Sequence, residues 1–261
     1  MALYDRMRMV WRTKNIALRM VRHSHSLFSQ YAEDVIFRQL MHPSNHGTYV
    51  DVGAHHPFKG SNTYGLYLRG WRGLTIDPNP RFAPLFKKVR PEDVHLVEGV
   101  AREQGDLTYY QFDHDVLNSL SFERAQSLVQ AGNRVIAESK IPCRPLGLIV
   151  DEYLSDRPID LLSVDCEGLD LDVLISLDLE KRRPTALIVE DYAIFESFQT
   201  NSKPQEFETF LYDSGYRRIA QTAWSTILVA ADWRQLIERS TAYRADRFSN
   251  GYMPNEAVAA P

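Results

Sequence analysis

Short apolar strands alternate with helical patterns along most of this chain, and few folds accommodate that rhythm. Residues 48–53, 73–77 and 95–100 read as strands. Helical patterns at 61–69, opened by a Ser cap, and at 80–89 fall between them. A β-α-β-α-β succession predicts a parallel sheet with helices on both faces. The rhythm breaks over 106–145, where strands at 107–112 and 134–143 flank a helix at 121–131, so an insertion or edge element is expected. It resumes with helix 146–154, strand 159–165, helix 169–177, strand 186–191 and helix 204–213. Segments 216–220 and 226–230 read as an antiparallel hairpin closing the sheet. The expected architecture is one α/β domain with a seven-stranded, mostly parallel sheet.

Composition agrees with a globular protein: 261 residues, 44% hydrophobic and 25% charged. No apolar run approaches the roughly 20 residues needed to span a bilayer. Two cysteines, Cys143 and Cys166, lack metal-ligand spacing and fit a reducing cytosol, so a cytoplasmic protein is expected. A net charge of −4 argues against nucleic acid as the main partner. That charge is uneven, because residues 1–27 carry +5 and leave about −9 for the rest. Arginines interrupt every apolar stretch there, which excludes a secretory signal. A basic amphipathic helix remains, over residues 1–28. It either packs on the domain, as its ragged stripe favours, or makes peripheral contact with an anionic membrane. The main domain is expected at 29–240, with a tail at 241–261 that frays at its end.

The first strand runs Tyr49-Val50-Asp51-Val52-Gly53-Ala54 and breaks into His55-His56-Pro57. In doubly wound sheets, ligands bind beyond the carboxyl ends of the strands where strand order reverses. Asp77 closes the second strand 24 residues after Gly53, placed for a ribose diol. A dinucleotide would need three glycines, but the second and third positions hold His55 and Phe58. The missing phosphate cradle disfavours a nicotinamide-dependent reductase. S-adenosylmethionine (SAM) has the ribose and adenine without phosphates, and suits the pattern.

Several longer strings carry a resemblance. Ser29-Gln30-Tyr31-Ala32-Glu33-Asp34, YVDVGAHHP at 49–57, SNTYGLYLRGWRG at 61–73, IDPNP at 76–80, IDLLSVDCEGLDLDVL at 159–174 and Arg183-Pro184 resemble the FkbM family of methyltransferases. The similarity covers about 29–230. It implies a Rossmann-like class I methyltransferase fold and SAM-dependent O-methylation, mainly of hydroxyls on sugars, glycolipids, polysaccharides or macrolides. A glycan or glycolipid acceptor is the expected partner. The alternative is a noncatalytic module of this fold that docks on a glycan-assembly enzyme through its basic N-terminus.

An alcohol is about as weak an acid as water, with a pKa of ~15.7, so its activation needs a base or a metal. Acids collect at two strand ends: Asp165 and Glu167 after the fourth, Glu190 and Asp191 after the fifth. Alternation points Asp165 and Glu167 to one side. Asp165, Glu190 and Asp191 would suit Mg²⁺ or another hard cation. Without metal, Asp165 or Glu167 would be the base, or both would merely cap the next helix. Of the two loop histidines, His56 is expected to line the active site. The expected SAM contacts are Gln30, Asp51, Gly53, Ala54, Asn62, Thr63, Asp77, Pro78, Val100 and Ala101. Asn62 and Thr63 would open a helix toward the donor's carboxylate. Gln30, with Asp34, would close over its amino-acid end, unless these two form a helix-cap network. Val100 and Ala101 would meet adenine. Asn118-Ser119-Leu120-Ser121 is a candidate for the acceptor cleft, while Trp71 and Trp224 read as core residues, although Trp224 precedes the last hairpin strand and could reach the cleft.

Overall fold

A computed structural model describes residues 27–41, 46–190 and 205–249. The basic segment up to residue 26, Asp191 and the last twelve residues lie outside the described residues. Among the described residues, no helix is long and apolar enough to cross a membrane.

The main sheet has seven strands: β1 Thr48–Val52, β2 Arg72–Ile76, β3 Val94–Leu96, β7 Leu161–Val164, β8 Ala186–Glu190, β9 Tyr216–Gln221 and β10 Ser225–Ala230. Their order is β3-β2-β1-β7-β8-β10-β9. Five of them run parallel, while β10 lies antiparallel between β8 and β9. The central strands read as continuous apolar runs because helices cover both faces. On one face Val50, Val52, Leu162, Val164 and Val189 pack with Ile149 of α5 (Leu146–Tyr153) and Leu174 of α6 (Asp170–Leu177). On the other, Tyr49, Leu161, Ile188 and Ile227 meet Phe37 of α1 (Glu33–Met41), Leu66 of α2 (Tyr64–Tyr67) and Trp71. Trp71 is thus a core residue.

The chain winds from β1 outward to β3, then returns to the far side of β1 with β7. The strand order therefore reverses between β1 and β7, and a crevice opens above their carboxyl ends.

The expected insertion is a second sheet of three strands, β4 Gly99–Val100, β5 Gly105–Phe112 and β6 Val135–Arg144, in the order β4-β6-β5. Helix α4, Phe122–Gln130, joins β5 to β6 and buries Ala125 and Leu128 against Phe112. The single strand expected at 95–100 is divided between the two sheets. Glu98 marks the break, its carboxylate gripped by Nε and Nη2 of Arg144 from β6 at 2.8 and 2.7 Å. The helix expected at 61–69 is shorter too. The chain turns out of α2 at Gly70, whose φ of +101° favours glycine. The stretch 80–89 begins as a 3₁₀ turn at Pro80–Phe82 and continues as α3, Ala83–Val89. Helix α7, Gln205–Asp213, precedes the hairpin.

A last helix, α8 Trp233–Ser249, has no counterpart in the sequence reading and runs across the boundary drawn at 240. It is held at the amino end of β7. Asp160, buried there, accepts hydrogen bonds from Ser240 Oγ (2.6 Å), Arg244 Nη1 (2.9 Å) and the Thr48 amide (2.7 Å).

Candidate active site

The crevice above β1 and β7 is a cleft of about 290 Å³. Its floor is built where the two strands end. Gly53 has a φ of +76°, and a Cβ there would fall 1.7 Å from the Asp165 carbonyl oxygen. Only glycine permits so close an approach of the two strand ends. His55 (φ +43°) and Glu167 (φ +48°) also hold left-handed backbone, one after each strand. Such conformations in residues with a Cβ are costly and concentrate where function fixes the chain.

The Asp77 carboxylate accepts the His55 amide at 2.8 Å and the Asn79 amide at 2.8 Å. These bonds lock its orientation at the end of β2, facing the cleft. Asp51 is buried on β1 and accepts a short hydrogen bond from Thr63 Oγ1. Asn62 Nδ2 donates to Ser163 Oγ at 3.2 Å, tying the start of α2 to β7. Burial raises the Asp51 carboxyl above its ordinary range, and the charge of Arg90 is the leading influence against it. The insertion supplies one wall through Val100 and Leu120, with Leu169 beside them.

Within this cleft, one carboxylate oxygen from each of Asp165, Glu167 and Glu190 lies within 4.8 Å of the others. Strand alternation does not bring them together, because β7 ends at Val164 and the left-handed pair Glu167-Gly168 turns the chain back. Arg124 of α4 donates to Glu167 Oε2 through Nε (3.2 Å) and Nη2 (3.1 Å), while Ser119 Oγ donates to the Glu167 carbonyl at 2.8 Å. The insertion therefore fixes this acid. Glu190 Oε2 is buried without a partner. Burial first holds both Glu190 and Asp165 above the usual carboxylate range; the neighbouring carboxylate charges add to it, while a hydrogen bond with Glu190 works against it at Asp165. Carboxylates packed this closely need a shared proton or a cation between them.

The family is decided by comparison with known sequences. A profile described as the Methyltransferase FkbM domain matches residues 51–218, well over half the chain. The chain belongs to the FkbM methyltransferase family. None of the curated proteins matches it. Among solved structures it is similar to the O-methyltransferase from Bacillus cereus in complex with SAH. That similarity has 11% identity and a TM-score of 0.44, covering 81% of this chain and 90% of that one. It is also similar to the O-methyltransferase TomG from Streptomyces achromogenes, involved in tomaymycin synthesis and in complex with SAM. Here identity is 12% and the TM-score 0.39, over 76% of this chain and 77% of that one.

The FkbM match takes in Asp51, Asp77, Asp165, Glu167 and Glu190, and leaves Gln30 and Trp224 outside. All seven nonetheless line one cleft. Of the other residues expected to contact SAM, Gly53, Ala54, Asn62, Pro78 and Val100 line the cleft, whereas Thr63 and Ala101 do not. Thr63 is fully buried behind the wall and touches the cleft through Asp51. The histidine expectation is reversed. His55 lines the cleft, and His56 turns away to accept the Lys59 amide on Nδ1 at 3.1 Å with its ring against Phe58 and Phe82. Asp34 belongs to a cap network with Ser29 (2.7 Å) and Arg38 (3.4 Å), while Gln30 reaches the cleft. Asn118, Leu120 and Trp224 line the cleft; Ser121 instead caps α4 through the Arg124 amide. Arg124, Glu98 and Asp115 were missed, since each reaches the cleft from the insertion or its border and no local motif marks it.

Proposed function

We propose that this FkbM protein transfers a methyl group from SAM to a hydroxyl, carried by a sugar in a glycan, glycolipid or glycosylated natural product. The observation that carries the reading is the convergence of Asp165, Glu167 and Glu190 beside a nucleoside-sized cleft. Asp77 is oriented by two amides to accept from ribose hydroxyls. The apolar wall of Val100, Leu120 and Leu169 offers a slot for adenine, with Pro78 beside Asp77. A cleft rich in carboxylates also favours a cationic sulfonium ligand over a phosphorylated one. These residues fit SAM, which supplies the electrophilic methyl group. Asp51 would face the cationic amino-acid end and Asn62 would border it.

At the acceptor side, Asp165 would take the hydroxyl proton, with Glu190 held protonated beside it by burial and the neighbouring carboxylates, and Arg124 keeps Glu167 in place. Trp224, half-buried and lining the cleft, would supply apolar ring surface to a sugar. The donor set also fits a hard divalent cation such as Mg²⁺, because three carboxylate oxygens converge and Glu190 Oε2 is unpartnered. Such an ion, when bound, would lower the pKa of the hydroxyl it touches.

The test is methyl transfer from labelled SAM to a panel of neutral glycans and glycolipids, with Mg²⁺ and with a chelator. Asp165→Asn and Glu190→Gln should each lower turnover about 100-fold or more, as expected for loss of acid–base assistance. Loss of activity with chelator assigns the metal, and unchanged activity assigns Asp165 as the base. Full activity in both variants would contradict the proposal.

A further inference from the structure

Arg90 is one of the most deeply buried side chains of the protein, at 1% exposure, and it does not line the cleft. It follows α3 directly and runs beneath the sheet edge. Its guanidinium lies 5.1 Å from the ring centre of Tyr49 and 5.6 Å from those of Tyr67 and Phe86. A buried cation needs a partner and hydrogen-bond acceptors. Nε donates to Asp93 Oδ2 at 2.7 Å, and that carboxylate also accepts from Tyr49 Oη at 2.6 Å. The other arm reaches the turn between β1 and α2. Nη2 donates to Thr63 Oγ1 at 3.0 Å, and Nη1 approaches the Pro57 carbonyl (3.4 Å) and Ser61 Oγ (3.5 Å).

Each of these acceptors belongs to the turn between β1 and α2. Thr63 Oγ1, having accepted from Arg90, must direct its own proton elsewhere, and it gives it to Asp51. A continuous relay thus runs from Asp93 through Arg90 and Thr63 to Asp51, which does line the cleft. Arginine suits this place because its planar fork serves Asp93 and Thr63 at once, which a lysine ammonium cannot do with the same geometry.

We infer that Arg90 is a positioning residue for the methyl donor, acting through Thr63 and Asp51 to set affinity for the amino-acid end of SAM. The inference rests on the reading that SAM occupies this cleft. The ribose and adenine contacts lie on Asp77 and the insertion wall, outside the relay. The two ends of the donor should therefore respond differently when Arg90 is changed.

The experiment is calorimetric titration of the full chain with SAM and with methylthioadenosine, which has the nucleoside and thioether but no amino-acid end. Arg90→Lys, Thr63→Val and their combination are compared with wild type, since both single changes keep the buried volume nearly constant. Each single variant should weaken SAM about tenfold, the scale of one charge-assisted hydrogen bond, with methylthioadenosine held within about twofold. The double variant should be scarcely weaker than either single one, as for two members of one relay. Equal weakening of both ligands would make Arg90 a purely structural residue and overturn the inference. So would unchanged SAM binding in either variant. Wild type that binds neither ligand would overturn the donor-site reading, and this inference with it.

Discussion

At residue scale, burial does more than charge to decide which side chains keep their ordinary chemistry. His95 on β3 is stacked against Phe86 at 3.8 Å, and its Nδ1 meets Thr75 Oγ1 at 2.9 Å. Burial, aided by the nearby Arg90 cation, pushes its pKa down to about 4. The folded protein therefore stays unprotonated at His95 where the unfolded chain takes up a proton. Stability from this group is complete above the unfolded value of about 6.5 and falls as pH drops toward 4. Between pH 7 and 5 the loss should be about 2 kcal/mol from this residue alone. Urea unfolding at both pH values checks it: His95→Gln should lose less stability than wild type over that interval. Equal losses would show that His95 titrates normally.

The residues legible in the sequence are those whose role follows from strand position. Asp51, Gly53 and Asp77 stand at the ends of β1 and β2, and an α/β winding alone places them at a crevice. The two histidines show where this reasoning stops. Which of two adjacent loop residues faces the ligand depends on the left-handed turn at His55, and no spacing rule reports that turn.

At the scale of elements, helices and parallel strands were readable because their apolar periods differ and their ends carry caps and acids. The divided third strand was not. Its break at Glu98 answers to Arg144, 46 residues away, and local patterning carries no record of so distant a partner. Helix α8 was missed for a related reason. Its apolar stripe is weak, and polar contacts with Asp160 help to hold it in place. Arg244→Ala should therefore destabilise the fold by about 2 kcal/mol, the cost of removing a charged partner from a buried carboxylate. SAM affinity should not change, since Asp160 lies at the opposite end of β7 from the cleft. Urea midpoints alongside SAM titrations check both halves. A variant that lost donor binding while keeping its stability would contradict this division of labour.

Across the whole molecule, the winding makes the floor of the cleft and the insertion supplies one of its walls. The sheet alone brings Asp51, Asp77 and Asp165 to one edge. The insertion then lays Leu120 and Arg124 against them, and Arg124 fixes Glu167. This arrangement explains why the floor of the cleft could be read from sequence and the rest of its lining could not. The floor residues follow strand ends, but the remaining lining comes from 115–124 and Trp224, segments whose place depends on tertiary packing.

The most direct test of the account is calorimetric titration of wild type and Asp77→Ala with SAM. A micromolar dissociation constant in wild type, weakened about tenfold or more in Asp77→Ala, is the predicted result, since a locked acceptor of the ribose hydroxyls would be gone. No binding by folded wild type, or equal affinity in the two proteins, would contradict it.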